Sequence, residues 1–334
     1  MEFKEFFQQR KQEMKYIENF HDGLRVAGVY LVKTKNMALT KNGKEYMNVT
    51  LQDRTGSVDA KIWEPNSPGI NEFDVLDYVY VDGNVTVYNG TNQLSIQRLS
   101  VAEEGSYDPK DYLPVSGRPL EEMAQELDRD IQSVQNPYLH RLLELLFVED
   151  EAFRKEFMVH SAAKSVHHGY VGGLMEHTLS VAAICDYFAK QYPDLHRDLL
   201  VTAALCHDIG KVRELTNFPR NDYSDEGQLI GHIVIGYEMI MNAVREIPDF
   251  PSVLAAELGH CILAHHGELE YGSPKKPALM EAMALSFADN ADAKLETMRE
   301  ALGAADRSGK SKENNGWIGF NRLIDSNLRR TSNT

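Results

Sequence analysis

Residues 199–211 read LLVTAALCHDIGK, an apolar run of helical spacing that ends on an adjacent histidine and aspartate, His207 and Asp208, followed by Gly210 and Lys211. Leu200 and Ala203 share a face with His207, which puts this imidazole on the buried stripe of its helix. His177, His232, His265 and Asp289 lie on other apolar segments before and after this one. His177 shares a face with Val181, Ile184 and Phe188, and His265 follows Leu254, Leu258 and Cys261. A single inward histidine is satisfied by a backbone carbonyl or a neighbouring carboxylate. Several of them, without a common partner, would each incur a desolvation cost of about 1–3 kcal/mol, which a shared cation removes. The stretch therefore predicts a metal centre inside a helical domain.

The dipeptide alone carries little weight, because His21-Asp22 repeats it before the first strand, with no helix and no histidine partners. We read that copy as a turn or cap. Eleven of the twelve histidines fall between His140 and His266, in the half of the chain whose pattern is helical. Met123, Leu127, Ile131 and Val134 form one stripe, Asn136-Pro137 breaks it, and Leu139, Leu142, Leu143 and Leu146 begin another. Further helices are predicted near 150–159, 173–191, 197–208, 232–245, 252–265 and 278–302. A polar segment at 307–316 precedes a last short helix containing Arg322, Arg329 and Arg330.

Before this half the period changes to two. RVAGVYLV, EYMNVTLQD, SVDAKIW, DYVYVDGNVTVY and NQLSIQRLSV are five β-rich runs between residues 24 and 101, with turn signals at Lys41-Asn42-Gly43, Arg54-Thr55-Gly56 and Asn89-Gly90. Five strands in this length, with room at 66–73 for a short helical or irregular link, predict a small Greek-key barrel of the OB type. Tyr46, Trp63, Tyr80 and Tyr88 are interleaved with Lys33, Lys35, Lys44 and Lys61, as base stacking combined with backbone tracking would require. Each aromatic taken singly reads as barrel core, but the combination favours binding. The predicted fold class is thus a two-domain α+β chain, a five-stranded OB-type barrel followed by an all-α helical bundle. Its divisions are an N-terminal amphipathic helix (1–20), the barrel (21–104), a Gly/Pro/Ser-rich linker (105–118), the helical domain (119–306) and a flexible tail with the short helix (307–334).

The 334 residues carry a net charge of −15, which argues against a nucleic-acid partner until it is divided. Residues 21–103 hold eight Lys/Arg against ten Asp/Glu and residues 1–20 balance, so −13 belongs to residues 104–334 and the barrel keeps a locally basic surface. The three cysteines sit in apolar helical patterns without CxxC spacing and read as buried hydrophobes. With no apolar stretch of membrane-spanning length and a charged beginning, the expected location is the cytoplasm and no membrane partner is expected.

The order His177, His207-Asp208, His232, His265, Asp289 resembles the HD superfamily of metal-dependent phosphohydrolases, in the version with extra histidines for a second metal. The strings HHGYVGGLMEHTLSV, ALCHDIGK, AHHGELEYGSPKKP and ADNADAK, with the OB-like region before them, resemble the YhaM family of bacterial 3'-5' exoribonucleases over nearly the whole chain. The resemblance implies that His177, His207, Asp208 and Asp289 hold one metal and that Asp208 bridges to a second held by His232 and His265, with His266 as the alternative to His265. Asp289 is preferred to Asp292 as the aspartate of the ADxxD string. It also implies manganese or a similar divalent ion and activity on single-stranded RNA, with single-stranded DNA as a second candidate.

Nitrogen and oxygen ligands suit Mn, Fe, Co or Zn alike. A pair of cations would acidify a bridging water and clamp the phosphate, making a metal-activated hydroxide the nucleophile. Catalytic candidates are Asp208, Lys211, which could neutralise developing phosphate charge, and His168, which with His167 lies in a Gly-rich loop and could protonate the leaving oxygen. The bland alternatives are a surface lysine and exposed loop histidines. Two competing functions are an HD enzyme acting on mononucleotides or cyclic dinucleotides, and a non-catalytic OB adaptor. A second copy of the chain, in a homo-oligomer, counts among the candidate partners.

Overall fold

The computed structural model describes residues 15–40, 42–88, 90–164, 168–307 and 315–332, in two compact units divided between Val115 and Ser116. The first is a closed barrel of β1 (Arg25–Leu39), β2 (Glu45–Asp53), β3 (Gly56–Ile62), β4 (Tyr78–Tyr88) and β5 (Thr91–Val101), in the order β1-β2-β3-β5-β4. All neighbours are antiparallel except β3 and β5. This is the OB-type barrel that the five runs predicted.

Period-two alternation turns Met47, Val49 and Leu51 of β2 into the core and leaves Tyr46, Asn48 and Thr50 facing outward. β1 is longer than its apolar run suggests. A register shift between Val32 and Thr34 lets its first half pair with β4 and its second half, KTKNMAL, continue along β2 as far as the Leu39–Glu45 pair. The link at 66–73 is irregular and ties to β5 through a bridge from Ile70 to Leu99. Of the helix expected over residues 1–20, residues 1–14 lie outside the described residues. Ile17–Asn19 form a single 3-10 turn, and Phe20 joins the barrel core.

The second unit is built on α1 (Leu120–Ser133), α2 (Pro137–Glu144), α3 (Glu151–Val159), α4 (Gly173–Gln191), α5 (Arg197–Cys206), α6 (Lys211–Glu214), α7 (Asp225–Leu229), α8 (His232–Glu246), α9 (Ser252–Ala264) and α10 (Met280–Arg307). The Asn136-Pro137 break is a helix cap, with the Asn136 side chain accepting from the amides of Tyr138 and Leu139. Met123, Leu127 and Ile131 of α1 enter one continuous core with α4, α5 and α9, which also takes in all three cysteines. Among the described residues, no helix is long and apolar enough to cross a membrane.

The last short helix is instead a hairpin of β6 (Trp317–Asn321) and β7 (Ser326–Arg329). Trp317, Ile318 and Phe320 are strand formers, and Gly319, at φ 100°, adopts a backbone that a helix excludes. On α1, burial together with Glu126 and Asp186 pushes the Asp130 carboxyl up to about 6. A raised acid contributes stability below its unfolded pKa of about 3.9 and loses it as the pH rises through about 6. Asp130→Asn is therefore expected to raise unfolding free energy by about 1–2 kcal/mol at about pH 7, after allowance for solvent screening, and by nothing below about pH 4. Urea melts at the two pH values check it; an equal effect at both would refute the burial cause.

Candidate metal centre and nucleic-acid interface

The end of α5 delivers His207 as its last helical turn closes, and Asp208 follows in the turn into α6. Gly210 permits the approach of this turn to α8, since a Cβ there would lie 2.1 Å from the carbonyl oxygen of His232. α8 begins at His232, α9 ends just before His265, α4 carries His177, and α10 carries Asp289 and Asp292. Five elements thus point side chains at one place.

Asp208 stands at its middle, 2% exposed. Its Oδ2 is 3.4 Å from Nε2 of both His177 and His207, and its Oδ1 is 3.5 Å from Nε2 of His232 and 3.7 Å from that of His265. Asp289 Oδ1 lies 3.2 Å from His177 Nε2 and 4.0 Å from His207 Nε2. One carboxylate oxygen therefore serves a His177/His207/Asp289 group and the other a His232/His265 group. His266 stands beside both members of the second group, with ring centroids 5.2 and 4.4 Å away, and all three offer ligand atoms within 4.8 Å of one another. The geometry brings His265 and His266 together, where the sequence had posed them as alternatives.

The outer nitrogens are all spoken for. Nδ1 of His177 donates to Asp292 Oδ2 (2.7 Å), that of His207 to the Ala204 carbonyl (2.7 Å) and that of His232 to Glu214 Oε1 (2.9 Å). His265 and His266 donate theirs to the carbonyls of Ile262 (2.7 Å) and Tyr271 (2.8 Å). With Nδ1 protonated, each neutral ring is left with a lone pair on Nε2. The Nε2 atoms of His177 and His207 face one another at 3.2 Å, a contact that is repulsive between two neutral rings and is relieved by a shared cation or by a proton on His177. Of the six buried side-chain polar atoms without a hydrogen-bond partner among the described residues, three are Asp208 Oδ1, His232 Nε2 and His265 Nε2. Such atoms normally find partners. The residues fit divalent metal.

Electrostatics agree with this fit. Burial alone would raise the Asp208 carboxyl, but Lys211, His207 and His177 hold it well below the usual carboxylate range. Asp289 is likewise held low against burial by His177 and His207. Burial, then the neighbouring imidazoles, lowers His265 and His266. Ionised carboxylates and neutral imidazoles are the forms that ligate metal. His177 is the exception: burial lowers it, yet Asp208, Asp289 and Asp292 outweigh that and raise it.

The structure removes the bland alternative for Lys211 and changes the reading of His168. Lys211 is no surface lysine, because its Nζ lies 2.6 Å from Asp208 Oδ2 with the side chain 12% exposed. His168 is 2% exposed and has both ring nitrogens engaged, Nε2 with Asp292 Oδ2 and Nδ1 with the Tyr170 hydroxyl, each at 2.9 Å. It has no free nitrogen to offer a leaving group, which corrects both readings of this residue. His167 lies outside the described residues. Tyr170 donates onward to Glu176 (2.9 Å), which also accepts from Ser116 (2.6 Å). Asp292, Glu214, Tyr170 and Glu176 were not assigned these roles from sequence. The one available signal was the three-residue spacing of Asp289 and Asp292 on a helix face.

On the barrel, Asn48 of β2 pairs with Lys61 of β3, and Tyr46 stacks on Trp63 with centroids 5.2 Å apart. The Lys61 ammonium lies 5.2 Å from the Tyr46 ring and donates to Asn48. Lys44 pairs with Glu64 at 3.0 Å beside this cluster. Lys35 does not join it: in register with inward-facing Val49, it lies over the Phe73 ring and donates to the Phe73 carbonyl. Lys33 falls in the register shift that reverses these faces. Tyr80 and Tyr88 are on β4, which borders β1 and β5 and not the β2–β3 face.

Residues 174–294 match the HD domain family, and residues 25–102 match a family described as an OB-fold nucleic acid binding domain. The chain is 36% identical over 282 residues to the 3'-5' exoribonuclease YhaM of Bacillus subtilis (strain 168), covering 84% of this chain and 88% of that protein. The protein of the same name from Bacillus velezensis is 35% identical over the same shares. Among solved structures, the second OB-fold domain of replication protein A from Methanococcus maripaludis matches 28% of this chain and 98% of its own, at 21% identity and a TM-score of 0.21.

Proposed function

The chain belongs to the YhaM family of 3'-5' exoribonucleases, and we propose that it performs this reaction at two divalent cations held on either side of Asp208. It is a metal-dependent 3'-5' exonuclease of single-stranded RNA, with a barrel of the nucleic-acid-binding OB type. One ion would be held by His177, His207, Asp289 and Asp208, the other by His232, His265, His266 and Asp208. The observation that carries this reading is the split of the Asp208 oxygens between two histidine groups, with unpartnered atoms on the second. Manganese is the proposed metal; the mixed imidazole and carboxylate set would also take Fe, Co or Zn.

When bound, such ions acidify water and neutralise charge on the phosphate. The protein's own groups do the rest. Asp292 and Glu214 fix the rings of His177 and His232 through Nδ1, so that their Nε2 atoms are aimed before any ion arrives. Lys211 places a cation on Asp208 that can also meet phosphate charge. On the barrel, Tyr46, Trp63 and Lys61 would stack bases and attract the backbone. Because these contacts do not require a 2'-hydroxyl, single-stranded DNA is a second proposed substrate.

A time course on 5'-labelled single-stranded RNA with added manganese tests the reading. The expected pattern is a ladder shortening from the 3' end with the label retained in the larger products. Early release of labelled mononucleotide would overturn the polarity, and a single internal cut would overturn exonucleolysis. In equilibrium binding with EDTA present, Lys61→Ala combined with Trp63→Ala should weaken RNA binding by roughly 5–150-fold, as loss of stacking worth about 1–3 kcal/mol implies. It should also make the salt dependence of binding shallower by about 0.7 in log–log slope. Unchanged affinity would remove these residues from the binding surface.

A further inference from the structure

The chain has two tryptophans, Trp63 and Trp317, and each is about half exposed, at 47% and 49%. Trp63 belongs to the barrel cluster with Tyr46 and Lys61. Trp317 stands in an arrangement of the same chemistry on the β6–β7 hairpin. It pairs across the strands with Arg329, whose guanidinium carbon lies 6.0 Å from the indole ring. The register shift between Trp317 and Gly319 puts Gly319 opposite Leu328, which is buried, and Phe320 opposite Asn327. Trp317, Phe320 and Arg329 therefore share the outward face, with Phe320 60% exposed. Arg322 is exposed in the turn between the strands.

Large exposed aromatics grouped on one face mark a binding surface, and the charge around these selects the ligand. Residues 317–330 contain three arginines against one aspartate, within a part of the chain that carries −13. Arg330 is taken up by Asp306, while Arg329 and Arg322 remain on the hairpin with the aromatic rings. An apolar protein partner would have to bury those guanidinium groups without counter-charge, which is costly. A single strand of nucleic acid alternates flat bases with phosphates, and this matches rings alternating with cations.

We propose that Trp317, Phe320 and Arg329 form a second binding platform for single-stranded RNA, stacking bases on the two rings and pairing phosphate with Arg329 and Arg322. The proposal rests on the reading of the chain as an enzyme of single-stranded RNA. It gives the strand a foothold within the acidic unit, where bulk charge opposes its approach.

The two tryptophans make the test selective. Trp63→Phe leaves Trp317 as the only indole, and Trp317→Phe leaves Trp63. Each full-length variant is titrated with a short oligoadenylate in low salt and EDTA, which prevents hydrolysis, while indole emission is followed. The expected result is saturable quenching of Trp317, reversed by salt, with affinity lowered about tenfold when Arg329→Ala is added to Trp63→Phe. If Trp317 stays silent while Trp63 saturates, the hairpin platform is refuted and the barrel reading stands. If both stay silent, both fail. If Trp317 emission instead follows protein concentration without oligonucleotide, the face joins a second copy and the proposal is overturned.

Discussion

Asp208→Asn is expected to lower turnover of single-stranded RNA by at least about a thousandfold, because it removes the one group shared by both halves of the centre. Asparagine keeps the volume of a side chain that is 2% exposed, but it replaces one acceptor oxygen with an amide donor and removes the charge. The Oδ2 side would lose its common partner for His177 and His207, and the Oδ1 side that for His232 and His265. Several kcal/mol of charge stabilisation on the phosphate would go with the cations, and each 1.4 kcal/mol or so is a factor of ten. The substitution also leaves the Lys211 ammonium without its carboxylate, a loss of about 3–5 kcal/mol for a broken buried pair. Asp208→Asn with Lys211→Met removes both charges together and should recover most of the thermal stability without recovering turnover. Manganese titration by calorimetry and single-turnover rates on all three proteins check this. Wild-type turnover in Asp208→Asn would end the two-cation reading.

Asp292→Ala should lower manganese affinity by about 10–100-fold, the usual consequence of removing a carboxylate that orients a ligating histidine. Asp292 touches no other proposed ligand directly but accepts from His177 Nδ1 at 2.7 Å, from His168 at 2.9 Å and from Ser180. Those histidines hold its carboxyl well below the usual range despite burial. Without it His177 can rotate, and His168 loses its Nε2 partner. A positioning role predicts that high manganese restores turnover, and that Asp292→Asn, which keeps one oxygen acceptor, recovers part of the affinity. Calorimetry showing unchanged metal affinity in Asp292→Ala would sink the assignment.

What could be read from sequence was what depends on periodicity. His177, His207 and His265 were legible as inward groups because each falls on an apolar stripe with a period near 3.6 residues, and the barrel was legible through five alternating runs. Tyr46 and Trp63 were marked by their interleaving with Lys44 and Lys61, and their stacking on one another shows only in the structure. Lys35 was misjudged because charge shows in the sequence and register does not: the shift between Val32 and Thr34 sends the lysine to the opposite face. The roles of Asp292 and Glu214 depend on the angle of an imidazole ring, which spacing does not encode. His168 looked exposed because its loop is rich in glycine. Gly173 instead lets α4 pack on this loop, since a Cβ there would lie 2.0 Å from the His168 carbonyl oxygen. The hairpin read as a helix because Trp317, Phe320, Leu323, Ile324 and Leu328 also satisfy helical spacing.

The uniform use of Nδ1 as an outward donor has a kinetic consequence. All five imidazoles of the centre stand in the tautomer that presents Nε2 inward, so loading an ion asks for no ring flip and no proton transfer between ring nitrogens. Uptake displaces at most a proton already sitting among the ligands. For the proposed ions, the loaded and empty centres would then differ little in the placement of these rings, so that exchange of one divalent ion for another would leave the surrounding helices where they are.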